Sequence, residues 1–354
     1  MREMNLQALG FDDWFSEHAA GMIQPGQSAA RVMTVDRGAY LVIDEHGETP
    51  AELSGKFRFE AVSGPYLPCV GDWVCVEHGS PELAIIHAVL PRRTFLRRKF
   101  PGKTVDFQMI AANLDVAFIV QSCHYDFNIR RLDRYLAAAS EGRIEPAVIL
   151  SKTDLVTPGE LDGMIEGIRE TGITAEILPI SNVTGSGLDG FRSRLVPGGT
   201  FCLLGSSGVG KTTLINRLLG RDAFDTKAVS KTGEGVHTTA RRQLLVLDNG
   251  AMLVDNPGMR EFGLLGTSEG IDGSFSDIRD LSLECRFSDC THTREPGCAV
   301  LAAVEAGDLS EARYQSYLKL KKENEYYDLS YVEKRKKDRD FGRFIKSYKK
   351  HKKS

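Results

Sequence analysis

The nine residues Gly205–Thr213, GSSGVGKTT, constrain this chain more than any other stretch. They fit the spacing G-x-x-x-x-G-K-[ST], with Gly205, Gly210, Lys211 and Thr212 in the four fixed places. Thr200–Leu204 before them reads as a short buried strand. Thr213–Leu219 after them reads as a helix, apolar at Leu214, Ile215, Leu218 and Leu219. Strand, glycine-rich loop and helix in that order make a phosphate cradle. Glycines let the backbone wrap round phosphate oxygens, and the N–H groups along Ser206, Ser207, Gly208, Val209 and Gly210 face the positive end of the helix dipole. Lys211 is expected to reach the outer phosphates and to assist their chemistry, Thr212 to hold Mg²⁺ through its hydroxyl, and Thr213 to complete the cradle. A plain Gly/Ser turn before an ordinary helix would leave the joint presence of strand, helix, Lys and Thr without a reason.

Strands and helices alternate around this loop. Asp115–Val120, Pro146–Leu150, Glu176–Ile180, Arg242–Leu247 and Ala251–Val254 are strand candidates, while Arg131–Ala139 and Leu161–Glu170 are helical. Such alternation implies a mostly parallel sheet with ligand sites at the C-terminal strand ends. Asp255 closes an apolar strand and opens Asp255-Asn-Pro-Gly258. It is expected to hold Mg²⁺ through water, and Gly258 to offer its N–H to a γ-phosphate. Ser151-Lys152-Thr153-Asp154 resembles the Asn-Lys-x-Asp base-reading motif of GTPases. An Asp154 carboxylate would accept hydrogen bonds from guanine N1–H and the 2-amino group. Adenine has no proton at N1 and would leave the charge unpaired, so the motif selects GTP over ATP. Ser151 in place of Asn shortens the reach to guanine and to the neighbouring loop. Ser181-Asn182 resembles the Ser-Ala loop that supports the base, with Asn replacing Ala.

The order of these motifs is unusual. Ordinary GTPases begin with the phosphate loop and end with the base-reading motifs. Here both base motifs precede Gly205 and Asp255 follows it, as in a circular permutation, which neighbouring termini make tolerable. Between the phosphate helix and Asp255, Ser230–Thr239 is polar, Gly-rich and non-periodic, as a switch loop would be. Thr238 or Thr239 would supply its Mg²⁺ ligand; we take Thr239. Met259 stands where many GTPases carry Gln and cannot orient water. His237 is the candidate for that catalytic task, against the alternative of a surface loop histidine.

The chain holds seven cysteines, an odd number that argues against a disulfide framework. Three of them form Cys285-x4-Cys290-x-His292-x5-Cys298, a Cys3His set suited to one structural Zn²⁺. Ala299–Glu305 then reads as a helix ended by Gly307, and Glu311–Glu325 as another capped by Asp308 or Ser310. From Lys319 to Ser354 there are 14 Lys/Arg against 6 Asp/Glu, a net of +8. The formal charge of the whole is −3, so the first 318 residues carry −11, and the basic end suits a polyanion.

Toward the N-terminus, Leu6, Leu9, Phe11, Trp14 and Phe15 suggest a short amphipathic element packed on the body. Val32–Val35, Ala39–Ile43, Lys56–Phe59, Trp73–Val76 and Ala84–Val89 read as five short strands with turns between them. That number in so short a span suggests a small OB-type barrel, either an oligonucleotide binder or a purely structural module. Pro91–Lys99 mixes cations with Phe95 and suits a surface that tracks a nucleic-acid backbone, or equally a solvated linker. No apolar run approaches a membrane span and no secretion signal opens the chain, so a cytoplasmic protein is expected.

The combination of GSSGVGKTT, GVHTT, DNPGMREFG and CRFSDCTHTREPGC is similar to that of the ribosome small-subunit-dependent GTPase A family (RsgA, also called YjeQ). The resemblance covers about residues 30–325. It implies GTP hydrolysis with Mg²⁺, a bound zinc, association with the small ribosomal subunit and its rRNA late in maturation, and turnover stimulated by the ribosome. The expected architecture is multidomain α/β, taken as a monomer. An extension (1–30) precedes an OB-type β-barrel (31–100), a circularly permuted P-loop GTPase domain (101–268), a helical zinc-binding domain (269–325) and a basic tail (326–354). Two other readings stand beside it. One is a nucleotide-switched, zinc-bearing RNA-binding module with little turnover; the other is a P-loop ATPase or kinase, against which Asp154 argues.

Overall fold

The computed structural model describes residues 5–36, 38–60, 66–80, 82–99, 107–125, 127–220, 242–255 and 268–328. His237, Thr239, Gly258, Met259 and the tail beyond residue 328 lie outside them. The chain opens with a 3-10 turn at Leu6–Leu9 and helix α1 (Asp13–Ala19), N-capped by Asn5 and Asp12. Leu9 and Phe15 are fully buried, and Phe11 meets Trp73 edge-on at 4.7 Å. The N-terminal apolar residues thus pack on the body as their spacing suggests.

Five strands then close a barrel: β1 (Gln27–Asp36), β2 (Ala39–Asp44), β3 (Gly47–Leu53), β4 (Trp73–Ser80) and β5 (Leu83–Val89). The pairing runs β1-β2-β3-β5-β4 and returns to β1, antiparallel throughout except for β3 with β5. Ala30, Val32, Val42, Ala51, Val74, Val76, Ala84 and Ile86 fill its interior. One strand differs from expectation. Lys56–Phe59 belongs to helix α2 (Gly55–Glu60), and the third strand is Gly47–Leu53. The alternation of Phe57 and Phe59 mimics a strand, but Ser54 Oγ accepts the Phe57 N–H at 3.1 Å and starts a helix. Phe57 packs on the barrel while Phe59 is 87% exposed. The true strand turns Thr49, Ala51 and the partly buried Leu53 to the interior, between exposed Glu48, Pro50 and Glu52, too little apolar surface for a hydrophobic pattern to reveal.

A separate ribbon follows, β6 (Phe95–Lys99) with β7 (Phe107–Ala112). The arginines before and within it are engaged inside the molecule. Arg92 forms a bidentate pair with the buried Asp72, Arg93 pairs with Asp12, Arg97 with Glu141, and Arg98 donates to Gln108. At these four positions the cations are bonded within the chain, with the Arg93–Asp12 pair at the surface.

The second half of the sheet carries β8 (Val116–Ser122), α3 (Ile129–Glu141), β9 (Glu145–Ser151), α4 (Pro158–Glu170), β10 (Glu176–Pro179), α5 (Leu188–Ser193), β11 (Thr200–Leu204), α6 (Lys211–Leu219), β12 (Arg242–Val246) and β13 (Met252–Asp255). Strand order is β10-β9-β8-β11-β13-β12, parallel apart from β12. Because β12 also pairs with β1 (Thr34 opposite Gln243), barrel and α/β sheet form one hydrogen-bonded surface. Arg31 locks the seam. It is buried and donates to the carbonyls of Leu9, Gly71 and Asn113 and to Thr200 Oγ1.

Four helices close the described chain: α7 (Ser268–Ser274), α8 (Ser276–Ser282), α9 (Ala299–Ala306) and α10 (Glu311–Asp328). Helix α7 lies hard against α3, where a side chain at Gly270 would run into the Ala137 carbonyl. Arg134 on α3 pairs with Glu323 on α10 at 2.8 Å, and the buried Arg313 holds Asp277 and the Ser274 carbonyl.

Candidate nucleotide site and metal knuckle

Strand β11 is buried along its whole length and delivers the loop to the C-terminal edge of the sheet. Gly205 takes φ +146 beside β8, where any Cβ would collide with the Val120 carbonyl. Gly208 and Gly210 also have positive φ, and α6 begins at Lys211. Lys211 Nζ bends back over the loop, donating to the carbonyls of Gly205 at 2.6 Å and Ser206 at 2.5 Å. Ser207 Oγ is buried with no protein partner in the described structure, and so is Asn182 Oδ1. Orphaned polar atoms of this kind fit a site that a polar ligand completes. Thr212 and Thr213 sit half-buried in the first turn of α6.

The segments expected to read the base fold onto this loop. Ser151 ends β9 wholly buried, with its Oγ 2.6 Å from the Val209 carbonyl and 3.1 Å from the Gln121 carbonyl. A shorter side chain than Asn thus still reaches the phosphate loop, but it faces inward to do so. Lys152 adopts φ +61, and the chain then turns through Thr153–Leu155. Asp154 is exposed and oriented by Ser181, whose Oγ donates to Asp154 Oδ1 at 2.5 Å. Ser181 is itself buried and accepts the Val183 and Thr184 N–H groups. Asn182 Nδ2 donates to the Gly210 carbonyl at 3.2 Å, which joins the second base segment to the start of α6. Gly187 permits this turn, since a Cβ there would strike the Pro179 carbonyl.

Asp255 lies at the end of β13. Burial lifts its carboxyl to about 6, against the pull of the Lys211 ammonium. A desolvated carboxylate beside a phosphate loop is a fitting ligand for a divalent cation, whose charge would offset that burial. Two residues here had no signal in the sequence. Arg131, at the start of α3, donates to Ser206 Oγ at 2.7 Å, and Arg217 donates to the Asn182 carbonyl at 3.0 Å. Both are ordinary helical arginines until the fold brings the loop to them.

Cys285, Cys290, His292 and Cys298 converge, with every pair of ligand atoms within 4.8 Å. Cys285 Sγ and Cys298 Sγ are 3.9 Å apart, and His292 Nδ1 lies 3.6 and 3.5 Å from them. Bonds of about 2.3 Å to sulfur and about 2.05 Å to nitrogen give tetrahedral edges of roughly 3.8 and 3.6 Å, so the cage fits zinc. Cys298 caps α9, its Sγ accepting the Leu301 N–H. Partial burial opposes ionisation of Cys285, yet the N–H groups of Ala299 and Val300 draw its thiol below the usual range. His292 is held at φ +61, with its carbonyl accepting from Tyr314 Oη at 2.7 Å.

A family model described as RsgA GTPase matches residues 89–265. A protein of Opitutus terrae named small ribosomal subunit biogenesis GTPase RsgA is 42% identical over 338 residues, covering 91% of this chain and 90% of its own. The chain belongs to the RsgA GTPase family. A relative of the same name from Streptomyces coelicolor is 40% identical over 323 residues, covering 90% of this chain and 87% of its own. Among solved structures, YjeQ from Thermotoga maritima superposes with a TM-score of 0.65 at 27% identity, over 84% of this chain and 98% of that one. YloQ, described as a circularly permuted GTPase, gives 0.63 at 24% identity over 86% and 97%, a likeness of fold. This member of the family is accordingly a GTP hydrolase of permuted α/β fold with an OB-type barrel and a helical C-terminal part. No helix among its described residues is long and apolar enough to cross a membrane.

Proposed function

We propose that this protein binds the small ribosomal subunit and its rRNA in the cytoplasm late in subunit maturation, and hydrolyses GTP there at a rate the ribosome stimulates. The observation that carries the nucleotide part is the joining of base and phosphate segments: Ser151 Oγ meets the Val209 carbonyl, Asn182 Nδ2 meets the Gly210 carbonyl, and Ser181 holds Asp154 beside them. Small-subunit biogenesis is what the names of its relatives state of those relatives.

In this reading Gly205–Thr213 cradle the phosphates, with Lys211 on the outer ones and the N–H of Gly258 on the γ-phosphate. Asp154 reads guanine, with Ser151, Lys152, Thr153, Ser181 and Asn182 shaping its seat. Thr212, Asp255 and Thr239 hold Mg²⁺, which supplies charge neutralisation for the phosphoryl oxygens. His237 positions the attacking water in place of the missing Gln. One zinc sits in the Cys285–Cys298 knuckle. The domains divide near residues 30, 100, 268 and 325, and the chain acts as a monomer.

Hydrolysis of GTP with and without purified small ribosomal subunits tests the reading. Multiple-turnover rates should rise by at least an order of magnitude with subunits. A rate unchanged by subunits would overturn it, and a rate near zero in both cases would favour a nucleotide-switched RNA-binding module.

A further inference from the structure

A second cluster of metal-ligating groups lies on the barrel, away from both the nucleotide site and the knuckle. Asp44 closes β2, His46 follows in the turn to β3, and His78 projects from β4. One carboxylate oxygen and one nitrogen from each ring lie within 4.8 Å of one another. Asp44 Oδ2 is 2.7 Å from His78 Nε2, and Asp44 Oδ1 is 3.5 Å from His46 Nδ1. We propose that Asp44, His46 and His78 form a second divalent-metal site, selective for a borderline transition ion such as Zn²⁺.

The carboxylate is the reason. The Asp44 side chain is only 1% exposed, while the rings are 76% and 28% exposed. A buried carboxylate is costly unless a cation pairs with it. Among the described residues its ion-pair partners are these two histidines, with no lysine or arginine. As joint ligands of one cation the two rings would set a full positive charge beside the buried carboxylate. Four-coordinate zinc with bonds of about 2.0–2.1 Å sets N and O ligand atoms roughly 3.3–3.4 Å apart; the 3.5 Å between Asp44 Oδ1 and His46 Nδ1 is close to that edge, and the 2.7 Å hydrogen bond between His78 Nε2 and Asp44 Oδ2 would open as a cation entered. Imidazole and carboxylate donors without sulfur favour Zn²⁺, Ni²⁺ or Cu²⁺ over Mg²⁺ and Ca²⁺. Three protein ligands with an exposed ring leave a coordination position open to solvent. The ion here should therefore exchange faster and bind more weakly than in the four-ligand knuckle.

The test is zinc stoichiometry on the full chain, by equilibrium dialysis and elemental analysis, with the variants His78→Gln and His46→Ala/His78→Ala. Both keep Asp44, and the amide introduced by His78→Gln preserves a donor to it, so the barrel should remain folded by circular dichroism. Wild type should take up two ions per chain, the weaker one released first by a mild chelator, and each variant should lose only that one. Cobalt substitution separates the sites, because thiolate-to-cobalt charge transfer arises from the knuckle alone. A wild type that holds one zinc at saturation, or variants that still hold two, would overturn the proposal. The first result would mean that the histidines serve Asp44 as hydrogen-bond partners only.

Discussion

Ser181→Ala tests the base-reading role proposed for Asp154. Ser181 is buried, donates to Asp154 Oδ1 at 2.5 Å, and accepts from Val183 N at 3.2 Å and Thr184 N at 3.1 Å. Its hydroxyl fixes one oxygen of a carboxylate that otherwise stands exposed on a short 3-10 turn. With that oxygen held, the carboxylate would present a set plane to the two donors of a bound guanine, as the proposed function requires. A hydrogen bond to a charged group contributes about 1.5–3 kcal/mol. At about 1.4 kcal/mol per decade, its removal should weaken GTP and GDP binding roughly 10- to 150-fold. Stability should change little, because Val183 beside the freed N–H groups is 77% exposed and water can reach that turn. The assay is titration with a fluorescent guanine nucleotide, with ATP competition measured in parallel. Adenine offers Asp154 no pair of donors, so ATP affinity should stay constant and the GTP preference should shrink by the same factor. GTP affinity within about twofold of wild type, with the preference intact, would refute the role given to this serine.

Other perturbations have equally definite outcomes. Gly205→Ala places a Cβ against the Val120 carbonyl at φ +146 and should cost about 2–5 kcal/mol in urea unfolding, with loss of nucleotide binding. Cys298→Ser removes a knuckle ligand and the α9 cap together. Zinc content should fall by one ion and the 283–300 segment should become protease-sensitive, while guanine nucleotide still binds. Asp133, buried on α3 with Oδ2 unpartnered, is pushed up to about 6 by burial, against a bond from Ser316 and the charge of Arg313. Its folded value exceeds the ordinary 3.8, so the native chain binds this proton more tightly than the unfolded chain. The stability it contributes is full below about pH 4 and is lost as pH rises through 6. Asp133→Asn should therefore stabilise the protein above pH 6 by up to about 3 kcal/mol and flatten that part of the profile in urea midpoints.

Features written in adjacent residues were legible before the structure was known. The phosphate loop is one, because glycines, a Lys and a Thr at fixed spacing between an apolar strand and an amphipathic helix specify local backbone and chemistry together. The Cys3His cluster is another, since four side chains within 14 residues need only a turn to converge. The permuted order was also plain, being a matter of which motif comes first. The barrel was legible as a barrel but not strand by strand. Gly47–Leu53 carries too few apolar residues to register, while Lys56–Phe59 carries a strand-like alternation that Ser54 converts into a helix.

Pairings across the chain were decided by tertiary structure alone. Arg92, Arg93, Arg97 and Arg98 read as a basic run, yet each finds a partner on another segment, because a desolvated Asp72 or Glu141 pairs with whichever guanidinium the fold delivers. Ser151 ties the end of β9 to the Val209 carbonyl of the phosphate loop, 58 residues on along the chain. Asp44 and His78 lie 34 residues apart and meet only because β1 through β5 close on themselves. Composition and spacing determine what a segment can do, since backbone geometry and side-chain chemistry are local. Which charges are buried together, and which are left needing a cation, depends on solvent exclusion, and that exists only once the sheet has closed.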